Sequence, residues 1–295
     1  MCSLAKDATV RTETSAAIVL DDVSKAYGPT RAVARMHLAI TPHQVLGVIG
    51  PNGAGKSTLM RIIAGETIPD TGRLTICERE VDFRHFSPRM AHRLGVRIVH
   101  QELALCANLT VFENFYVESG AGMGYTWRSR AKALARDALD QAFPGSGISP
   151  DDPVESLTLA QRQMVEIARA ASAPHMRLLI LDEPTSALPH ERVDQLRALL
   201  QRLRQDGRMV ILITHRLAEV LDFADSIVVM RGGAAAWSGS PVGLSKDDLI
   251  MRMGGRSAVT MTGRAPRESG RRAAIGGARP VPGLIAPRDP ARGRG

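Results

Sequence analysis

Short apolar runs that alternate with amphipathic stretches dominate the second half of the chain. Leu178–Leu181 and Met209–Ile213 are continuous apolar runs of strand length, which is typical of strands buried on both faces. They are followed by segments with helical periodicity, Glu191–Leu203 and Arg216–Phe223. This alternation predicts a parallel sheet with helices on its faces, that is, the α/β class.

The first half of the chain predicts shorter strands and one early helix. An apolar segment at Ala16–Leu20 is followed by a turn at Tyr27–Thr30 and a buried run at Val45–Ile49. The next helix is expected over Lys56–Ala64, with Gly65 as its end. Further strands are expected at Arg73–Ile76, Val96–Val99 and Ile227–Met230.

Residues 103–175 differ from both flanks because their periodicity is mostly helical. Examples are Arg128–Phe143 and Gln161–Ala171. A long helical stretch between strand-rich parts predicts an inserted helical subdomain.

Composition and charge change this picture mainly at one end. The chain has 295 residues and a net charge of +8. Residues 256–295 hold nine Arg against two acids, Glu268 and Asp289, so the remaining 255 residues are nearly neutral. With seven Gly and five Pro as well, this segment has too few apolar residues to fold, and we expect a disordered tail. No apolar run approaches the ~20 residues of a membrane-spanning helix.

A glycine-rich loop is the first candidate for chemistry, because it fits the pattern GxxxxGK[ST] between a buried strand and a helix. It consists of Gly50, Pro51, Asn52, Gly53, Ala54, Gly55, Lys56 and Ser57, and continues into Thr58. The glycines let backbone N–H groups approach phosphate oxygens, and the helix points its positive end at the same anion. Lys56 supplies a charge for the β- and γ-phosphates, and Ser57 a hydroxyl ligand for Mg²⁺. The alternative is a glycine-rich turn without a ligand.

Two adjacent carboxylates form the second candidate. Asp182 and Glu183 directly follow the apolar run Leu178–Leu181. Asp182 can hold Mg²⁺ directly or through water, and Glu183 can polarise the water that attacks the γ-phosphate. Taken alone, the pair is equally consistent with a solvated acidic turn at a strand end.

Together these motifs resemble the nucleotide-binding subunits of ATP-binding cassette (ABC) transporters. The resemblance covers roughly residues 17–255 and includes the sequence Asp-Glu-Pro-Thr-Ser-Ala-Leu at positions 182–188. It implies a P-loop NTPase fold, with a RecA-like parallel sheet core, an N-terminal antiparallel β subdomain and an inserted helical subdomain. The implied ABC ATPase domain spans residues 15–255, and the implied cofactors are ATP and Mg²⁺.

The resemblance also implies roles for three further residues. Gln101 occupies the place of the family's Q-loop and would contact Mg²⁺ and the attacking water. His215 occupies the place of the switch histidine and would hydrogen-bond the γ-phosphate. Tyr27 stands where the family has an aromatic ring that stacks on adenine. The alternatives are a surface glutamine, a structural histidine and a core or turn aromatic. The catalytic set implied is Glu183, His215, Gln101 and Lys56, and the Mg²⁺ set Ser57, Asp182 and Gln101.

One family motif departs from its usual sequence. Where the family has a signature loop of Leu-Ser-Gly-Gly-Gln, this chain has Leu157 followed by Thr158, Leu159, Ala160 and Gln161. In the family this loop contacts ATP bound to the opposing subunit. The Cβ atoms of Leu159 and Ala160 restrict close backbone approach, so we expect that contact to differ here.

The segments Gln161–Ala170 and Thr185–Leu188 are most similar to the ATPases of bacterial ribose, xylose and galactose importers, which usually fuse two cassettes. This chain resembles the first cassette. The resemblance implies an ATP-hydrolysing subunit that powers import of a small solute, a monosaccharide. It further implies membrane permease subunits, a solute-binding protein, a second cassette as homodimer or heterodimer partner, and a peripheral position on the cytoplasmic face of the membrane.

Two alternatives remain open at this point. The altered signature loop fits a truncated or impaired cassette that binds ATP without efficient turnover, in which case the tail could be out-of-frame translation. The Arg-rich tail fits a soluble ABC ATPase acting on nucleic acid or ribosomes. The nearly neutral, aromatic-poor body does not support the latter, so no specific nucleic acid is expected.

Overall fold

The computed structural model describes residues 17–119 and 124–254 of the chain. Ten strands occur in these two segments: β1 (Ile18–Tyr27), β2 (Thr30–Ile40), β3 (Val45–Ile49), β4 (Thr71–Ile76), β5 (Arg79–Glu80), β6 (Val96–Val99), β7 (Leu178–Asp182), β8 (Met209–Ile213), β9 (Ser226–Arg231) and β10 (Ala234–Gly239).

Eight α-helices lie in the same part of the chain: α1 (Lys56–Ile63), α2 (Pro88–Arg93), α3 (Val111–Ser119), α4 (Trp127–Ala142), α5 (Leu159–Ser172), α6 (His190–Gln205), α7 (Leu217–Phe223) and α8 (Lys246–Arg252). A 3₁₀ turn, Val154–Ser156, precedes α5.

The central sheet has six strands in the order β10-β9-β3-β8-β7-β6. All pairs are parallel except β9 with β10, which is antiparallel at one edge. Every residue of β8 is buried, because the sheet is covered on both faces. Val210 and Leu212 pack in a core with α5 and α6, whereas Ile211 and Ile213 pack in a second core with α1. The predicted parallel α/β core is confirmed.

The second sheet is antiparallel, with the strand order β2-β1-β4-β5. Ile18 and Leu20 of β1 and Leu74 of β4 belong to the same core as α1, so this sheet packs on one side of the central sheet. The predicted N-terminal antiparallel subdomain is therefore present. It is not contiguous in sequence, because β4 and β5 follow α1.

Helices α3, α4 and α5 lie between β6 and β7 in the chain, within the region expected to be helical. The alanines Ala131, Ala135 and Ala138 line the buried side of α4 and join the core that α5 shares with the central sheet. Small side chains at this spacing let helices pack closely. This part of the fold agrees with the predicted helical insertion.

A buried ion-pair cluster joins these helices to the central sheet. The carboxylate of Glu118 on α3 lies 3.1 Å from Nε of Arg97 on β6 and 3.3 Å from Nε of Arg169 on α5. Arg169 also donates a 2.7 Å hydrogen bond from Nη2 to Oε1 of Glu166. Burial raises the pKa of Glu166, and the neighbouring Arg169 only partly offsets that effect.

Several elements were not predicted individually from the sequence, among them α2, β5, β10 and α8. Strand β10 consists largely of alanine and has weak intrinsic strand preference. It forms by pairing with β9, in a register that places Ala235 opposite Met230. Helix α8 is short and buries one residue, Leu249, so it has no detectable periodicity.

Several predictions fall on residues that the structure does not describe. The tail at 256–295, and positions 15 and 255 at the ends of the expected ABC ATPase domain, lie outside the described residues. Within the described segments, none of the helices combines the length and the apolar character needed to cross a membrane.

Candidate nucleotide-binding site

The P-loop, defined as residues 50–57, connects β3 to α1. Gly55 is the residue before α1 and has a φ of 98°, in the region that favours glycine. A Cβ atom at this position would lie 1.9 Å from the carbonyl oxygen of Ala32 in β2. The fixed glycine of the motif therefore allows the loop to pack directly on the backbone of the antiparallel sheet.

Two properties of the loop suit an anion. Pro51, Asn52 and Gly53 are exposed, and a Cβ at Gly53 would meet no atom within 4 Å, so the outer side of the loop is open. The first intrahelical bond of α1 runs from Leu59 N–H to the Gly55 carbonyl. The earlier N–H groups, including those of Ser57 and Thr58, lack such acceptors and carry the positive end of the helix dipole.

Lys56 extends back over the P-loop. Its ammonium donates hydrogen bonds to the carbonyl oxygens of Gly50 at 2.7 Å and Pro51 at 3.1 Å. Burial lowers the pKa of Lys56, although the nearby carboxylates of Glu183 and Asp182 act in the opposite direction. The positive charge is thus held at the loop by groups that a phosphate can replace.

Ser57, Gln101 and Asp182 line one cavity of about 370 Å³. Their hydroxyl, amide and carboxylate oxygens are the hard ligands that Mg²⁺ prefers. Asp182 is the last residue of β7, and its pKa is raised by burial and by the adjacent carboxylate of Glu183. The structure therefore brings the three expected Mg²⁺ ligands together, and the chemistry of this set fits the ion.

Glu183 has an unusual backbone conformation. Its φ is 52°, which is uncommon for a residue other than glycine and costs about 1–3 kcal/mol. The conformation is held because Glu183 N–H donates to the carbonyl of Ile213 at 2.8 Å. Oε1 accepts the backbone N–H of His215 at 3.0 Å, and Oε2 lies 2.8 Å from the ring Nδ1 of His215. Two of the expected catalytic residues are in direct contact.

Glu219 is a site residue that sequence reasoning missed. Its carboxylate accepts hydrogen bonds from the hydroxyls of Thr185, close to Glu183, and Thr214, next to His215. Glu219 lies on α7, in the first turn. It follows His215 by only four residues along the chain, and this proximity to a candidate catalytic residue is the signal that could have identified it.

Tyr27 lies at the end of β1 and is half exposed. It pairs with Thr30 across a tight hairpin. Two residues further along β2, Ala32 contacts the P-loop at Gly55. Tyr27 therefore lies exposed on the hairpin that packs against the P-loop and is not a core aromatic; the adenine contact stays a prediction.

The expected signature residues lie elsewhere, at the amino end of α5. Thr158 and Gln161 form a capping box: Thr158 Oγ1 accepts from Gln161 N–H at 3.3 Å, and Gln161 Oε1 accepts from Thr158 N–H at 3.0 Å. Leu159 is 65% exposed, and Ala160 is partly buried. These four residues form a helix cap within this chain, with a large apolar side chain facing outward.

Comparison with known proteins now identifies the family. Residues 33–186, slightly more than half of the chain, match the family model described as ABC transporter. The chain belongs to the ABC transporter family. The P-loop and the acidic end of β7 both fall in the matched region of this ABC cassette.

Curated relatives of this cassette are sugar import proteins. It is 38% identical over 254 residues to the ribose import ATP-binding protein RbsA 2 of Mesorhizobium japonicum. The aligned region covers 85% of this chain and 49% of that protein. It is 36% identical over 244 residues to the arabinose import ATP-binding protein AraG of Paraburkholderia xenovorans, covering 82% and 46%. The chain spans about half the length of these relatives.

Solved structures of ABC cassettes have the same fold. A dimeric ATP-binding cassette in a post-hydrolysis state, bound to ADP and Pi, is 25% identical with a TM-score of 0.66 and covers 77% of this chain and 100% of its own. A dimeric bacterial ABC transporter cassette, 24% identical with a TM-score of 0.68 and the same coverage, supports the fold alone. The predicted P-loop NTPase fold with its two added subdomains is confirmed.

Proposed function

We propose that this ABC cassette binds and hydrolyses ATP to power import of a small solute, a monosaccharide. The observation that carries this proposal is the arrangement of three neighbouring strands, β3, β8 and β7. Their carboxyl ends carry the P-loop, His215 and the pair Asp182–Glu183, respectively. Ligands of open α/β sheets bind at this edge.

ATP would bind with its β- and γ-phosphates against the N–H groups of the P-loop. Lys56 would exchange its contacts with the Gly50 and Pro51 carbonyls for phosphate oxygens. Ser57, Asp182 and Gln101 would hold Mg²⁺, directly or through water, and the ion would neutralise charge on the phosphates. The exposed ring of Tyr27 would stack on adenine.

Hydrolysis transfers the γ-phosphoryl group to water and yields ADP and phosphate. Glu183 would orient the attacking water and accept its proton, because its carboxylate is fixed by His215 beside the P-loop cation. His215 would donate a hydrogen bond to the γ-phosphate, and Lys56 would stabilise the charge that develops on the transferred group.

The similarity to a dimeric cassette and to sugar import proteins also supports a proposal about the partners of this chain. We propose a second cassette, membrane permease subunits and a solute-binding protein, with the cassette placed peripherally on the cytoplasmic face of the membrane. The working unit would be an ABC ATPase domain at 15–255 that contains the helical insertion at 103–175. The amino end of α5, with residues 158–161, would face ATP on the opposing cassette.

One observation keeps an impaired cassette as a second candidate. The exposed Leu159 stands where the family's loop has glycine, and its side chain would separate the α5 backbone from a nucleotide on an opposing cassette. Such a cassette would bind ATP and turn it over slowly. The names of the curated relatives do not favour the nucleic-acid alternative.

The test is Mg²⁺-dependent phosphate release by the purified full chain, together with equilibrium binding of labelled ATP. Asp182→Asn is expected to lose Mg²⁺-stimulated turnover and to keep Mg²⁺-free ATP binding, whereas the exposed control Asp206→Asn should behave as the unsubstituted protein. Binding without turnover in the unsubstituted protein would favour the impaired cassette. Failure to bind ATP would contradict both proposals.

A further inference from the structure

Glu219 joins two strand ends through a single carboxylate. Its Oε2 accepts a 2.7 Å hydrogen bond from Thr185 Oγ1 and a 3.3 Å hydrogen bond from Thr214 Oγ1. Its Oε1 lies 3.3 Å from Nη1 of Arg216. The side chain is only 12% exposed, and both threonines are completely buried. These contacts are not accounted for by nucleotide or Mg²⁺ binding.

The two threonines flank the residues proposed to react with water and phosphate. Thr185 follows Glu183 by two residues on the segment leaving β7, and Thr214 directly precedes His215 at the end of β8. The Glu219 carboxylate therefore connects the segment that carries Glu183 to the segment that carries His215.

Because both threonine hydroxyls are buried, they depend on Glu219 as their acceptor. A buried hydroxyl without an acceptor loses the hydrogen bond that water would provide, and a carboxylate can accept from two hydroxyls at once. Thr214 is fixed further, because its Oγ1 accepts the backbone N–H of Arg216 at 3.0 Å. Glu183 also has an unfavourable φ of 52°. Such a conformation persists only where several contacts of the neighbouring segments hold it in place.

We propose that Glu219 is a positioning residue for ATP hydrolysis: through Thr185 and Thr214 it holds the Glu183 carboxylate against His215. This inference rests on the proposed function. The hydrogen bonds and ion pair of Glu219 go to Thr185, Thr214 and Arg216, and Glu219 does not line the cavity of Ser57 and Asp182. Its loss should therefore change the rate of hydrolysis and not the affinity for ATP.

The first experiment compares kcat, KM and equilibrium ATP binding for Glu219→Ala and Glu219→Gln in the full chain. We expect Glu219→Ala to lower kcat by about 10- to 100-fold, with ATP affinity within about threefold, since small displacements of reacting groups have effects of this size. Glu219→Gln retains one acceptor oxygen and should recover part of the loss. The control Glu191→Ala changes an exposed glutamate on α6 and should leave kcat unchanged.

The second experiment separates positioning from general damage to the fold. In a Glu183→Gln background, Glu219→Ala should have no further effect on residual hydrolysis, because the group it positions is already absent. An equal loss of kcat in both backgrounds would overturn the proposal.

A third variant pair covers the case in which Glu219→Ala does not fold. The double variant Thr185→Val and Thr214→Val keeps side-chain shape and removes both hydroxyls, and it should lower kcat in the same way. Retention of full kcat by this double variant or by Glu219→Ala would overturn the role of Glu219. Absence of hydrolysis by the unsubstituted protein would instead contradict the proposed function itself.

Discussion

The carboxylate of Glu183 contacts His215 twice, through the backbone N–H at 3.0 Å and through the ring Nδ1 at 2.8 Å. Only the ring contact can be broken by rotation of the histidine side chain, which is 72% exposed. The backbone contact keeps Glu183 in place, so the His215 ring is free to exchange the carboxylate for a phosphate oxygen. Under the proposed function, the two residues would act on the same nucleotide without movement of the main chain.

The substitution Glu183→Gln should separate binding from hydrolysis. The glutamine oxygen can still accept the His215 N–H, so the fold and ATP affinity should remain, whereas the loss of the base should slow phosphate release by about 10²- to 10⁴-fold. Single-turnover phosphate release and equilibrium binding of labelled ATP measure the two effects. Wild-type turnover by purified Glu183→Gln protein would remove Glu183 from its proposed role.

The substitution Lys56→Ala should weaken ATP binding by about 10- to 100-fold, the equivalent of one or two charge-assisted hydrogen bonds. Because burial lowers the pKa of Lys56, its charge costs folding free energy, and the variant without nucleotide should be no less stable than the parent. Lys246→Ala, at an exposed position on α8, is the matched control. Unchanged affinity in Lys56→Ala would exclude a phosphate contact.

The P-loop and the acidic end of β7 were predictable because each is a contiguous motif whose neighbours form a strand or helix for local reasons. The buried run Leu178–Leu181 determines β7, and the two acids follow it directly. Residue type and spacing were therefore enough to predict most residues of the candidate site.

Features that depend on distant parts of the chain were not predictable. The left-handed backbone at Glu183 is stabilised by a hydrogen bond to the carbonyl of Ile213, thirty positions later, and nothing in the local sequence requires it. In the sequence, Glu219 is one acidic residue of a short helix, and only the folded structure shows that it accepts hydrogen bonds from Thr185 and Thr214. Such roles arise from tertiary packing, which a single sequence does not display.

The substitution Glu166→Gln should stabilise the protein at neutral pH. The pKa of Glu166 is raised above its ordinary value of 4.5 by burial, so its ionised form costs folding free energy, and that cost appears as pH rises through the raised pKa. The side-chain oxygen of glutamine can still accept the hydrogen bond from Arg169, and the ion pair between Arg169 and Glu118 is unchanged. We expect Tm to rise by about 2–4 °C, for about 1 kcal/mol, at pH 7–8.

The same variant provides its own control through pH. As pH falls to 4.5 and below, Glu166 becomes protonated in both folded and unfolded chains, and the difference in Tm should shrink toward zero. A destabilised variant at pH 7–8, or a difference that grows on acidification, would contradict the cost assigned to the ionised carboxylate.

Replacing both Leu159 and Ala160 by Gly should strengthen ATP-dependent association of two cassettes by roughly tenfold, about 1.4 kcal/mol, because the α5 backbone could then approach an opposing nucleotide. Analytical sedimentation with ATP measures this association, with the substitutions made in the Glu183→Gln protein. Leu159→Ala alone keeps both Cβ atoms and is the control. Association that does not change in the double variant would show that this loop does not contact ATP on the opposing cassette.

The contact between Gly55 and the carbonyl of Ala32 has a consequence for the ligand as a whole. Gly233 extends this contact, since its N–H donates to Ala54 and its carbonyl accepts from Ala34. These main-chain contacts, together with the core that β1 and β2 share with α1, fix the hairpin that carries Tyr27 relative to the P-loop. In the proposed complex, the distance between the adenine contact at Tyr27 and the phosphate contact at the P-loop would therefore be set by this packing. Substitution of an exposed side chain at either end would then alter affinity without altering the length of ligand that fits.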